Sequence, residues 1–175
     1  QRKVVYIANK IWKTGNEKPM KLFQLAGRVA AEAFYHHGNT SLESSMVGMA
    51  QKFKNSLPLL QGVGQFGSLR SPAAGAPRYI SAKLHPNFRL LYQDFDLLEN
   101  KIEEGEKIEP AFFLPIVPTV ILNGTSGIAV GFATNILNRN PKDVVDACIS
   151  TLNDKKMKVL APWIEEFKGT FTRDL

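Results

Sequence analysis

Cysteine is nearly absent from the 175 residues: Cys148 stands alone. An internal disulfide is therefore excluded, and the composition suits a reducing compartment. Long apolar runs are missing too, so no stretch reaches membrane-spanning length, and nothing at the start reads as a signal peptide. There are only three histidines and two tryptophans. Acidic residues are scarce in one half. Residues 1–89 carry 13 Lys/Arg against 3 Asp/Glu, whereas residues 90–175 carry 9 against 13. A basic half in a chain of pI about 9.5 points to a polyanionic partner, with a merely solvated lysine surface as the alternative. The initiator Met and a first helix cap are lacking as well, and the chain is expected to begin in the middle of something longer. Cys148 shares helical spacing with Val144, Val145 and Leu152, which reads as core packing.

What is present is a helix-rich first half. Val4, Ile7, Ala8 and Ile11 lie on one face of a helix over residues 1–12. Leu22, Leu25, Val29 and Ala33 form the inner face of a second helix, with Arg28 and Glu32 outward. After the turn Phe34-Tyr35-His36-His37-Gly38-Asn39, Thr40 is placed to cap a third helix, and Glu43 completes a capping box. That helix's apolar stripe is Leu42, Met46, Met49, Ala50 and Phe53. Helix, turn and capped helix give the layout of a helix-turn-helix. The glycine-rich run Gln61–Ser68 lacks the Gly-Lys-Ser/Thr ending of a nucleotide-phosphate loop. It reads as a tight connection into a wing hairpin.

From Arg78 onward the chain alternates as a half-buried strand does. Ile80, Ala82 and Leu84 would face a core; Tyr79, Ser81 and Lys83 would share the solvated face. A phenol beside an arginine can attack a phosphodiester, with Tyr79 as nucleophile and Arg78 holding the phosphate oxygens. Taken alone, an exposed Tyr-Arg pair on a strand is far more often an ordinary surface feature. Residues 85–110 read as a connector whose acidic clusters, Asp94-x-Asp96 and Glu103-Glu104-x-Glu106, are a solvated linker and not a metal box. Residues 111–136 read as strand-rich, Thr119–Leu122 running into an Asn123-Gly124 hairpin turn. Pro141 starts a helix to about Thr151, and Phe167–Phe171 reads as an extended segment.

Four separated motifs occur in order: Tyr35-His36-His37-Gly38, Gly64-Gln65-Phe66-Gly67, Pro77-Arg78-Tyr79-Ile80, and Asn123-Gly124-x-x-Gly127-Ile128-x-x-Gly131. Together with the opening Gln1-Arg2-Lys3-Val4 and with Phe167-Lys168-Gly169-Thr170, they resemble the breakage-reunion region of type IIA DNA topoisomerases. The adjacent histidines and the Pro-Arg-Tyr are similar to the eukaryotic and T4-like phage branch. The resemblance implies an α+β fold: a winged-helix DNA-cleavage domain over 1–90, a connector over 91–110, and part of a mixed α/β tower domain over 111–175. It implies a DNA-cleaving and religating fragment that forms a transient 5′-phosphotyrosyl link. Tyr79 matches the family's nucleophile, Arg78 its adjacent arginine, Arg2 the arginine of the Gln-Arg-Lys segment, and His37 the active-site histidine. Ile128 matches the isoleucine that wedges between base pairs, and Gln65, Lys83 and Ser41 are further expected DNA contacts.

The resemblance further implies Mg²⁺ held by an acidic Toprim module and ATP used by a separate ATPase module. Neither module is seen in this sequence, and no metal-ligating residue is expected in it. The expected partners are double-stranded DNA, a Toprim/ATPase-bearing subunit or domain, and a second copy in a two-fold assembly, with no membrane. The expected location is wherever the DNA is: cytoplasm and nucleoid, or nucleus. The competing expectation is a winged-helix DNA-binding module that kept the scaffold without the chemistry.

Overall fold

The computed structural model describes residues 1–15, 17–157, 159–165 and 167–172. The chain divides into two compact units, residues 1–51 with 58–116, and residues 52–57 with 117–175.

In the first unit, helix α1 (Arg2–Ile11) buries Val4, Ile7 and Ala8 of the expected stripe and also Val5, while Ile11 is only half-buried. Strand β1 (Met20–Lys21) leads into α2 (Leu22–Glu32). Leu22, Leu25 and Val29 are fully buried, and Arg28 pairs with Glu32 one turn on at 2.6 Å. Helix α3 (Asn39–Ala50) buries Leu42, Met46, Met49 and Ala50. Its start differs from expectation. Gly38 takes the extended cap conformation (φ −61°, ψ 143°), so the helix begins at Asn39. Thr40 then lies inside the first turn, and no side chain caps the end. Phe53 lies beyond the end of α3, in the second unit, and is half-buried.

Strands β2 (Leu60–Val63) and β3 (Ser81–Leu84) pair antiparallel, and β1 adds to the other edge of β3, giving the order β1-β3-β2. Ile80, Ala82 and Leu84 are 2 %, 0 % and 7 % exposed, so the predicted alternation holds and places that face in the core. Each such apolar side chain contributes ~1.5–3 kcal/mol where it is large. Three helices against a small antiparallel sheet, with the long 64–80 loop between β2 and β3, is the expected winged-helix arrangement.

Residues 85–116, expected as loose connector up to 110, fold onto this unit. Helix α4 (Asn87–Leu91) buries Phe88 and Leu91. Phe88, Tyr92, Phe95 and Phe113 then form a cluster with ring centroids 5.0–5.8 Å apart. Strands β4 (Asn100–Glu103) and β5 (Glu106–Pro110) make a hairpin. The acidic run is its turn: Glu104 (φ 51°) and Gly105 (φ 83°) both take the left-handed region that a two-residue type I′ loop requires. The hairpin is not a solvated linker because Ile108 and Glu109 are buried.

In the second unit, Thr119–Leu122 is a short helix, α5, and not the strand expected from its β-branched run. Pro118 supplies the N-cap, and Asn123 ends the turn instead of opening a hairpin. Asn123 Nδ2 donates to the Leu57 carbonyl at 2.9 Å, and its Oδ1 accepts from the Leu57 amide at 2.8 Å. The hairpin comes later, β6 (Thr125–Ala129) pairing with β7 (Phe132–Ile136) around Val130-Gly131. At its base Gly124 (φ 67°) must be glycine, because a Cβ there would stand 2.3 Å from the Ile136 carbonyl oxygen.

Helix α6 (Pro141–Leu152) matches expectation, with the Asn140 side chain accepting from the Lys142 and Asp143 amides. Only Val144 of its proposed core face is buried; Cys148 is half-buried, Val145 is 42 % exposed and Leu152 84 %. Phe167–Phe171 is not extended, since its two phenyl rings lie 5.2 Å apart.

Candidate active site

Tyr79 lies in the turn Pro77–Tyr79 and not on the strand, which begins two residues later at Ser81. Pro77 cannot donate a ladder bond, and the Tyr79 amide turns back to the Ala76 carbonyl at 2.8 Å. The turn is then pinned to the start of α2. Phe23 N donates to Pro77 O at 3.3 Å, Leu22 N to Ile80 O at 3.1 Å, and Lys21 Nζ to Tyr79 O at 2.9 Å. The backbone of Tyr79 is thus fixed while its side chain is 71 % exposed. The Arg78 guanidinium stands over the phenol ring, 5.3 Å from its centroid. That contact orients the arginine and keeps a permanent positive charge beside the phenol.

The remaining sequence-predicted residues are placed as follows. Arg2 is exposed in the first turn of α1. His37 is exposed in the turn before α3, its ring edge-on to Tyr35 with centroids 5.4 Å apart. Among the described residues no hydrogen bond or ion pair links Arg2 or His37 to Tyr79 or Arg78. His36 points elsewhere, its Nε2 lying 3.3 Å from Glu103 Oε1. Ser41 is exposed in the first turn of α3, and Lys83 is half-buried on β3 opposite Gln61 of β2. Gln65 is exposed but is also a strut of its own loop: its Oε1 accepts from Gly67 N at 3.0 Å, and its carbonyl from Gly75 N at 2.9 Å. In the second unit Ile128 is 94 % exposed on β6, with Val130 at 100 % and Phe132 at 81 % around the same hairpin tip. It is not ordinary hairpin core.

Two residues near the site carry no sequence signal. Lys21 reaches Tyr79 only because β1 pairs with β3, Lys21 opposite Ser81. Gln51, at the end of an apolar stripe, bonds to the loop that precedes Tyr79.

The arrangement presents a solvent-facing phenol on a fixed backbone, with Arg78 beside its ring and Lys21 on its carbonyl, which suits attack on a polyanion better than on a neutral acyl group. Among the described residues no group of three or more His, Cys, Asp or Glu is arranged to hold a metal ion, and no helix is long and apolar enough to cross a membrane.

Comparison with known proteins finds similar chains. The family model for the A-subunit of DNA gyrase/topoisomerase IV matches residues 1–175. The chain is similar to DNA topoisomerase 2 of Arabidopsis thaliana, 41 % identical over 179 residues, covering 99 % of this chain and 12 % of the relative. It is similar to the DNA topoisomerase 2 of Bombyx mori, 39 % identical over 175 residues, covering 97 % and 11 %. A crystal structure described as the Plasmodium falciparum topoisomerase II DNA-binding, cleavage and re-ligation domain superposes with TM-score 0.86 at 36 % identity, covering 97 % of this chain and 24 % of that one. The chain thus spans about 11–12 % of the length of these curated relatives.

Proposed function

Because the chain belongs to the DNA gyrase/topoisomerase IV family, on its A-subunit side, we propose that it is the part of a type II DNA topoisomerase that binds duplex DNA, breaks it and reseals it. The observation that carries the reading is Tyr79: a phenol 71 % exposed on a pinned turn, with the Arg78 guanidinium over its ring. The Tyr79 oxygen attacks a backbone phosphorus, forming a P–O bond to tyrosine while the P–O3′ bond breaks. The departing 3′-oxygen takes up a proton, and the phenol gives one up. Arg78 and Arg2 stabilise the crowded anionic transition state. His37 relays the proton or orients the water that does. The tyrosyl phosphodiester keeps about the energy of the bond broken, so the freed 3′-hydroxyl reverses the step and reseals the strand. Arg2 and His37 reach the phosphate when DNA draws them in, since catalytic contacts tighten in the bound complex.

Ile128, bare at the hairpin tip, pries open a base step and bends the duplex. Ser41, Gln65 and Lys83 contact the backbone. The family resemblance assigns Mg²⁺ to an acidic Toprim module and ATP to a separate ATPase module, so these belong to partner domains or subunits. The roles given to Tyr79, Arg78, Arg2 and His37 do not pass through either. A two-fold pairing would place two such tyrosines across one duplex. The enzyme works where DNA is kept.

The second reading, a winged-helix DNA binder without chemistry, is favoured by one observation, the lack of any link from Arg2 or His37 to Tyr79 among the described residues. The two separate in one experiment. The chain is combined with the Toprim-bearing partner, Mg²⁺ and supercoiled DNA, trapped with detergent, and assayed for protein attached to 5′ ends. An adduct that Tyr79→Phe abolishes, with DNA binding retained, is expected. An adduct from the Tyr79→Phe protein overturns the nucleophile; no adduct from either protein leaves only the binding module.

A further inference from the structure

The loop from Gly64 to Ile80 carries the proposed nucleophile at its far end, yet it contains no regular secondary structure. Something else must hold it. Gln51, the residue closing α3, is 1 % exposed. Its Nε2 donates to two loop carbonyls, Phe66 O at 2.8 Å and Pro72 O at 2.9 Å. These carbonyls flank a small closed turn, in which Ser68 N donates to Ser71 O at 2.8 Å and Ser71 N to Ser68 O at 3.1 Å. One amide group therefore ties both feet of the turn to the buried end of α3.

The tie is passed on towards Tyr79. Next to the pinned Phe66, the Gln65 carbonyl accepts from Gly75 N at 2.9 Å, joining the two arms of the loop. Gly64 and Gly75 then close on Ile80: a Cβ on either would stand 3.3 Å or 3.2 Å from Ile80 Cγ2. Ile80 is the residue after Tyr79, and it is 2 % exposed. The path runs from α3 through the Gln51 amide to the two loop arms, to the clasp on Ile80, and so to the Tyr79 turn. Every link is a hydrogen bond or van der Waals contact within one compact unit.

We propose that Gln51 is a positioning residue for DNA cleavage, fixing the loop that sets where the Tyr79 oxygen meets the scissile phosphate. It touches neither DNA nor the reacting atoms. The inference rests on the reading of Tyr79 as nucleophile. The chemistry requires the side chain to be both long enough to reach two carbonyls and able to donate twice, which among neutral side chains is the property of a primary amide. An apolar replacement of the same length leaves the buried Phe66 carbonyl and the part-buried Pro72 carbonyl without their donor, and the loop recovers bonding by shifting towards water. Small misplacements of a reacting group far from the mutated residue slow chemistry by as much as about a hundredfold. DNA affinity is spread over many phosphate contacts, of which Gln65 is the one assigned to this loop, so a shift of the loop lowers it only slightly.

The test uses the assembled enzyme with Gln51→Met, which keeps length and removes both donors. Single-turnover adduct formation on a duplex oligonucleotide is read beside the dissociation constant for the same DNA without cleavage, with Tyr79→Phe as control. The expected result is adduct formation slowed about tenfold or more, with DNA affinity within about twofold of wild type. Gln51→Glu, which keeps size and offers a carboxylate where a donor is needed, is read the same way and is slowed at least as much. Wild-type cleavage by either folded variant overturns the inference, as does a loss of binding that parallels the loss of cleavage. Failure of both variants to fold also overturns it, since Gln51 would then serve the core. The nucleophile reading fails separately, by an adduct in the Tyr79→Phe control.

Discussion

Replacing Lys3 by Met is expected to loosen the first unit measurably, and the size of the effect follows from what surrounds the ammonium. Lys3 Nζ lies 3.2 Å from Glu109 Oε2 and 3.5 Å from Glu103 Oε2, and it donates to the Ala33 carbonyl. It thus joins α1, the end of α2 and the β4–β5 hairpin. The Glu109 side chain is 3 % exposed and that of Lys3 22 %. Removing one partner of a fully buried pair costs ~3–5 kcal/mol, because a desolvated charge is left uncompensated. Water reaches this ammonium, so the pair falls below that range, at about 2 kcal/mol. The Ala33 carbonyl adds ~1 kcal/mol for its lost donor. Glu103 adds little, being 35 % exposed with His36 also 3.3 Å away.

The expected total for Lys3→Met is about 3 kcal/mol, or a fall of roughly 6–12 °C in the unfolding midpoint for a chain of this size. Urea denaturation followed through buried Trp12, in a Trp163→Phe background, reads the first unit directly. Glu109→Gln should cost less, since Lys3 keeps Glu103 and water. The Lys3→Met/Glu109→Gln protein should recover ~1–2 kcal/mol of the sum of the two single effects. The effect should persist in about 1 M salt, where surface pairs are screened. A single-variant cost below ~1 kcal/mol, or strictly additive singles, refutes the argument and makes this an ordinary surface pair.

Ile128→Ala should leave stability within ~0.5 kcal/mol, because the side chain is 94 % exposed, while reducing DNA bending measured by fluorescence energy transfer between duplex ends. A drop of several degrees in the unfolding midpoint would show instead that the residue packs in the fold. The Glu17 carboxyl is lowered from 4.5 to about 2, chiefly by the Thr14 backbone amide and then by its own. Its folded value lies below its unfolded one, so its contribution to stability is present above about pH 4.5 and is lost as pH falls towards 2. Glu17→Gln should flatten the acid limb of the stability profile across that window, and an unchanged limb counts against the bond from Thr14.

What the sequence made legible was what periodicity and punctuation control. Apart from Ile11 and Phe53, the stripes of α1, α2 and α3 recur in the structure, as do the Ile80-Ala82-Leu84 alternation and the Pro141 helix start. The misses came where a local signal competed with a neighbour. Thr119–Leu122 has strand residues, but Pro118 and the Asn123 latch to Leu57 favour one helical turn. Thr40 is a good cap, yet Gly38 adopts the cap conformation first. Tyr79 stood in an alternating string, but Pro77 and the Ala76 carbonyl made its backbone a turn. Lys21 and Gln51 were invisible because their partners lie 58 and 15–21 residues away.

The two residues on which the proposed chemistry and DNA bending depend share a property that the structure brings out. Tyr79 and Ile128 are a large phenol and a large aliphatic side chain left in solvent on backbone that is closely fixed. Tyr79 is fixed by bonds from Lys21 and its own amide to Ala76; Ile128 by its pairing with Ala133 and by the hairpin base at Gly124. Leaving apolar surface in water forgoes ~25 cal/mol for each Å² not buried. Neither side chain recovers that within its own unit. Fixing the backbone also means that little conformational entropy remains to be lost when a ligand arrives. Such positions give up folding stability and gain preorganisation. They should be nearly silent in thermal unfolding and prominent in DNA cleavage and bending, whereas Lys3 should show the reverse order.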